Sequence, residues 1–279
     1  MSLPPLSHSI LGVEPLDEFI REIADFIHHM IMTRPDVGTA DAKIEVEMKV
    51  GILRDRVSGA RLKLPVLVET ILAPDSMDIR FESNMSKSTH KHYNELLNKL
   101  KLSSSQPGHP STPLEYAHRY LSDSFYGSDA RGGDKTRLTR DEKSGEVVEC
   151  VRKVRLSDLN IYSPKRGADW RVSVNLEVPM PQPLGSPLFT RRKDRISYTH
   201  EEFSIDLTQV TSTANSGAAE LLHELEIEIS RPALLLATAL KRGDPNASEL
   251  ERGAFDELIR AFVNNARILV RNAGDGWQQ

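Results

Sequence analysis

The sequence is poor in the features that most often announce a function. Only one cysteine, Cys150, stands in 279 residues. No disulfide within the chain and no cysteine-built zinc site is therefore possible, and a reducing compartment suits it. Charge of neither sign dominates: 36 Lys and Arg face 40 Asp and Glu, for a net −4. That gives no overall attraction to nucleic acid or to a membrane surface, so a polyanion would need a local basic site. No apolar run approaches the roughly 20 residues of a membrane span. Residues 1–13 do not resemble a signal peptide. Internal repeats and low-complexity tracts are missing too. What is present, 39% hydrophobic and 27% charged residues, suits a folded chain with a sizeable core. The expectation is a soluble intracellular protein with no membrane contact.

The apolar pattern changes period along the chain. Leu16, Phe19, Ile20, Ile23, Phe26, Ile27 and Met30 recur at helical spacing, which predicts a helix over 14–33. "STHKHYNELLNKLKL" predicts a second, with Tyr93, Leu96, Leu97 and Leu100 on one side. Between and after them come strand-like runs: "KIEVEMKVGIL", "VECVRKVRL", "WRVSVNLEV", "RKDRISY", "FSIDLTQV" and "HELEIEIS". Residues 103–113 and 126–135 read as loops, and "TSTANSGA" as a turn. Pro232 opens an apolar helix. Ser248 and Glu251 form a capping box before "AFDELIRAFVNNARIL". The pattern is a mainly antiparallel sheet with helices before and after it, an α+β arrangement whose strands close into a barrel or a sandwich.

The polar faces of these strands are unusual. "KIEVEMKV" turns Ile44, Val46 and Met48 one way and Lys43, Glu45, Glu47 and Lys49 the other. "HELEIEI" lines up Glu224, Glu226 and Glu228; "RVSVNLEV" groups Arg171, Ser173, Asn175 and Glu177; "RKDRIS" groups Lys193 and Arg195; "SIDLT" groups Ser204, Asp206 and Thr208. An ordinary sheet with one wet face explains polarity. It does not explain why one strand carries only acids and another closely spaced bases. Same-face neighbours on a strand lie roughly 6.5–7 Å apart, so the glutamates repel unless positive charge sits between strands. Two E-x-E strands side by side would make an oxygen-rich site for Mg²⁺ or Mn²⁺. Acids, bases and a metal together describe a phosphoryl-transfer site.

In order along residues 40–271, "IEVEMKVGIL", "RLTRDEKSGEVVE", "LNIYSPKRGADWRVSVNLEVP", "RRKDRISYTHEEFSIDLTQV", "HELEIEIS" and the C-terminal "LIRAFVNNARILVR" resemble the fungal RNA 5′-triphosphatases. These are the β subunits of the mRNA capping enzyme, in the triphosphate tunnel metalloenzyme superfamily. The resemblance implies a single domain over 1–279: a closed eight-stranded antiparallel β-barrel with a hydrophilic interior and flanking helices, the first packed outside the barrel. It implies that Glu45, Glu47 and Glu228 bind the metal and that Glu177 orients the attacking water. Arg137, Lys193 and Arg195 would clamp the γ-phosphate, with Lys153 a further candidate. Asp206 and Thr208 would position the clamp. Glu224 and Glu226 would act on water, on metal or on the basic residues. The implied reaction converts 5′-triphosphate RNA to a 5′-diphosphate end, the first step of cap formation, in the nucleus. Implied partners are a second copy in a homodimer, the phosphorylated C-terminal tail of RNA polymerase II and the capping guanylyltransferase.

Two features depart from relatives. Ser204 stands where some carry an arginine, so one clamp contact is missing or replaced. Trp170 and Trp277, the two tryptophans, lie in no Trp-rich segment of the kind that docks the guanylyltransferase. Two other functions remain open at this point: a tunnel enzyme for tripolyphosphate or nucleoside triphosphates, and a non-catalytic binder of phosphorylated ligands. Elsewhere, His28 and His29 read as surface groups, and His90 with His92 lacks a second metal-ligand cluster. "ARGGDK" lacks the setting of a phosphate-binding loop. Cys150 reads as a small buried strand residue.

Overall fold

The computed structural model describes residues 4–7, 9–12, 17–127, 135–214 and 219–274. Its elements run α1 (Glu18–Met32), β1 (Lys43–Asp55), β2 (Thr70–Leu72), β3 (Ile79–Glu82), α2 (Lys87–Ser104), β4 (Glu115–Tyr126) and β5 (Thr136–Asp141). They continue with β6 (Val147–Tyr162), β7 (Asp169–Pro179), β8 (Phe189–His200), β9 (Phe203–Ala214), β10 (Glu220–Ile229), α3 (Pro232–Lys241) and α4 (Glu249–Arg271). Eight strands close an antiparallel barrel in the spatial order β1-β7-β6-β5-β4-β8-β9-β10, with β10 pairing back to β1. The expected eight-stranded barrel is therefore observed. β3 extends the pairing of β1 and β2 that of β6, both outside the ring.

The barrel is inside-out relative to a small packed one because its strand faces are. Ile44, Val46, Met48 and Val50 on β1, and Trp170, Val172, Val174 and Leu176 on β7, point outward into one continuous core. Helices α1, α3 and α4 supply the other half of that core. On α1 the helical spacing brings Ile23, Ala24, Ile27 and Ile31 to zero exposure. Each such isoleucine contributes roughly 1.5–3 kcal/mol of burial. The carboxylate of Asp17 caps this helix through the amides of Phe19 and Ile20, so it begins at Glu18; residues 14–16 lie outside the described residues. The Ser248–Glu251 capping box is present on α4, and Pro232 occupies the first turn of α3. Gly51 lets β3 approach β1: a Cβ there would stand 2.4 Å from the carbonyl oxygen of Glu82.

Several expectations shift. β4 and β5 are strands that the residue pattern alone did not announce. In β4, "EYAHRYLSDSFY" breaks strict alternation. "TSTA", read as the start of a turn, continues β9 to Ala214, and residues 215–218 lie outside the described residues. His28 is half-buried rather than a surface group, its Nε2 3.1 Å from the Ala239 carbonyl and its ring edge-on to Phe255. Cys150 is partly exposed, not buried.

Candidate active site

Since the apolar faces point outward, the alternate residues of each barrel strand meet in the lumen. There the E-x-E strands are neighbours. Glu47 faces Glu228 and Lys49 faces Glu226 across the β1–β10 seam. On the other side of β1, Asn175 of β7 donates to Glu45 at 2.9 Å and to Glu47 at 3.3 Å. The ammonium of Lys153 on β6 lies between the same two acids, 2.5 Å from Glu45 and 3.2 Å from Glu47. Lys49 joins Glu226 and lies 3.6 Å from Glu47. The backbone of Glu228 pairs with β1 and β9, but its carboxylate has no hydrogen bond or ion pair to any described residue.

The charges tune one another. Burial, then repulsion from Glu47, pushes the Glu45 carboxyl up to about 7. Burial and the nearby Glu45, Asp206 and Glu177 push Glu228 up to about 8. Glu47 is buried too, but Lys49 and Lys153 outweigh burial and hold it below its ordinary value. The site thus carries more negative charge at the β1–β10 seam than its own bases neutralise.

Opposite the acids lies a basic wall. The Lys193 ammonium on β8 pairs at 2.5 Å with Asp123 of β4, whose other oxygen accepts from Thr139 at 2.7 Å. Burial lowers the Lys193 pKa; Asp123 opposes this, while Arg195 and Arg137 repel the ammonium further. Arg195 is fixed by three groups: Asp206 at 2.7 Å, Thr208 at 3.0 Å and Glu226 at 3.4 Å. Arg137 donates to Glu149 at 2.6 Å and to Glu177 at 3.0 Å. Burial and the proximity of Glu149 raise the Glu177 pKa, with Arg137 and Lys153 opposing. Lys193, Arg195 and Arg137 converge on one wall, where the two guanidiniums repel the Lys193 ammonium, and together they offer a surface for an anion.

Residues 13–275 match the family described as "mRNA capping enzyme, beta chain". The chain belongs to that family. It is 34% identical over 274 residues to the mRNA-capping enzyme subunit beta of Schizosaccharomyces pombe, covering 97% of this chain and 86% of that protein. It is 34% identical over 275 residues to the Cryptococcus neoformans subunit, covering 96% of this chain and 65% of that longer protein. The solved structure of S. pombe Pct1 RNA triphosphatase in complex with the Spt5 CTD superposes with a TM-score of 0.85 at 33% identity, covering 97% of this chain and 100% of that one.

In this capping-enzyme beta chain the residues singled out from sequence share one lumen, with Glu224 nearer one mouth, where Ser83 donates to it at 3.3 Å. Ser204, in place of an arginine, donates to Asp206 at 2.9 Å and so supports Arg195 indirectly. Asp123, the partner of Lys193, escaped sequence reasoning because β4 did. Lys49 lay in plain view on the E-x-E strand; the signal was its position two residues after Glu47. Trp170 is fully buried, its indole donating to Glu69 at 2.9 Å, and Trp277 lies outside the described residues.

The acids of the β1–β10 seam offer donors for a divalent cation. Among the described residues no three acidic or imidazole side chains are drawn around one point, because Lys153 stands between Glu45 and Glu47. The chemistry nevertheless fits. The donors are hard carboxylate oxygens on adjacent strands. The carboxylate of one of them, Glu228, has no partner among the described residues, and the surplus negative charge is what such an ion would relieve.

Proposed function

We propose that this chain is an RNA 5′-triphosphatase that removes the γ-phosphate of 5′-triphosphate RNA in the first step of mRNA cap formation, acting as one domain over 1–279. One observation carries the reading: within a closed barrel, Glu45, Glu47 and Glu228 face a wall made of Arg137, Lys193 and Arg195. Glu45, Glu47 and Glu228 would hold Mg²⁺ or Mn²⁺, which supplies Lewis-acid stabilisation of phosphoryl oxygen charge. Lys193 and Arg195 hold the γ-phosphate oxygens. Arg137 exchanges Glu149 for phosphate. Glu177, raised in basicity by burial and by Glu149, orients a water and takes up its proton. Asp206 and Thr208 fix the guanidinium plane of Arg195, and Glu226 holds both Arg195 and Lys49 in place. Glu224 works at the rim on basic groups.

The assay is phosphate release from γ-labelled RNA with and without Mn²⁺ or Mg²⁺. Release only with the cation is expected; none under any condition overturns the reading. The chain acts in the nucleus, as a homodimer, near the phosphorylated C-terminal tail of RNA polymerase II and the capping guanylyltransferase. An apolar groove between α3, α4 and the β8–β9 turn, including Leu234, Leu250 and Leu258, supports the dimer. Light scattering that returns 31.3 kDa at micromolar concentration overturns that part.

A further inference from the structure

Alternate strands of an antiparallel barrel run toward the same mouth, so direction along each strand says which mouth a lumen residue approaches. The steps from Glu47 to Glu45, from Asn175 to Glu177, from Glu226 to Glu228 and from Lys153 to Glu149 all lead toward one mouth and gather four acids there, with Lys43 beyond Glu45 at the start of β1. The steps from Glu47 to Lys49, from Lys153 to Arg155, from Arg137 to Lys135 and from Lys193 to Arg191 lead toward the other mouth and gather four bases there, alongside Glu224 of β10 and Asp158 of β6. From Asp123 the same direction leads to Phe125, which pairs with Phe189 at the start of β8.

The two phenylalanine rings stack, with centroids 4.5 Å apart and planes within 12°. Lys135 lies over the Phe189 ring at 4.9 Å, and Arg191 lies over Phe125 at 5.6 Å. Neither cation pairs with an acid among the described residues, and the buried Arg191 Nε has no hydrogen-bond partner. Both rings remain partly exposed. A pair serving only to plug the barrel needs no unpaired cations on it. An aromatic face beside unpaired bases is how proteins hold single-stranded nucleic acid: bases stack and phosphates pair.

We propose that Phe189 and Phe125 form a stacking platform for the first base of the RNA, with Lys135 and Arg191 on the phosphates that follow the triphosphate. This rests on the triphosphatase reading, in which Glu177 presents water from the acidic mouth. In-line displacement then sends the leaving β-phosphate, and the RNA behind it, toward the basic mouth. Lys135, held by a surface cation–π contact that is easily given up, leaves the ring face to the base and moves to phosphate.

The test compares triphosphate-ended RNA carrying 2-aminopurine as its first nucleotide with inorganic tripolyphosphate, on wild type, Phe189→Ala and Phe189→Tyr. The expected result is that Phe189→Ala raises KM for RNA relative to KM for tripolyphosphate by about tenfold or more. Phe189→Tyr should keep the wild-type ratio, and 2-aminopurine should be quenched on binding by wild type and by Phe189→Tyr only. Thermal melting checks the fold. An unchanged ratio in Phe189→Ala, or equal quenching by it, overturns the platform. Should wild type cleave neither substrate, the catalytic reading fails, and the quenching comparison by itself decides the platform.

Discussion

Glu228 stands directly opposite Glu47 across the seam that closes the barrel. Like charges facing each other on adjacent strands destabilise a sheet. Here the cost is placed where the strand pairing must hold for the tunnel to exist. The pair is best understood as a half-built electrostatic arrangement, completed by positive charge.

That arrangement makes stability depend on pH. Glu45 and Glu228 titrate near 7 and 8 in the fold, against about 4.3 for an unfolded glutamate. Between those values the folded state binds more protons than the unfolded one, so stability is full below about pH 4 and is lost as pH rises through 8. We predict a melting temperature in EDTA that falls from pH 6 to pH 8.5. Mn²⁺ should raise it most at the alkaline end, and Glu228→Gln should flatten the profile. A flat wild-type profile would count against the surplus negative charge.

The lysine between the acids gives a second prediction. Removing it in Lys153→Met takes away the ammonium shared by Glu45 and Glu47. In EDTA the variant should melt lower than wild type. The gain on adding Mn²⁺ should be larger, because stabilisation grows as ligand affinity for the native state grows. A smaller gain would mean that Lys153 helps to bind the cation rather than standing in for it.

For the clamp, Arg195→Ala should cost about 10²–10³ in kcat, the usual loss of one pre-positioned transition-state donor. Arg195→Lys should recover only part, since an ammonium cannot meet Asp206, Thr208, Glu226 and phosphate together. Full recovery in the lysine variant would reduce Arg195 to a point charge.

Asp123→Asn takes from the Lys193 ammonium its ion-pair partner and leaves its repelling neighbours, so its pKa, already lowered, should fall further. The alkaline limb of the kcat profile should move to lower pH, because the clamp needs the protonated amine. An unmoved limb with reduced kcat would assign Asp123 a packing role alone.

These groups were unevenly legible. The E-x-E strands and Glu177 could be read because β1, β7 and β10 alternate around them, apolar toward the helices and polar toward the lumen, and Lys193 and Arg195 because two bases stand two residues apart on β8. The same clarity yielded α1 and α4, whose faces and caps agree. β4 defeated the pattern. Leu121 and Phe125 face the lumen beside Asp123, while His118 and Tyr120 face outward, where His118 meets Asp194 at 2.5 Å. With apolar and polar residues on both faces, period two carries no signal there. Local pattern was equally silent on the pairing of Arg137 with Glu149 and Glu177, since it depends on how the strands of a closed barrel come into register.

The seam between β1 and β10 also bears on how the chain comes to be folded. Lys49 and Glu226, which meet there, are 177 residues apart. A barrel sealed by such a contact cannot form while β10 is still being made, and non-local pairing of this kind is slow. Until then the paired strands present open edges that invite other chains. Pulse-labelled hydrogen exchange during refolding should find the amides of this seam protected last; early protection would contradict that order. Divalent cation should hasten that final step, so the ion that serves the chemistry would also act as an assembly factor for the polypeptide.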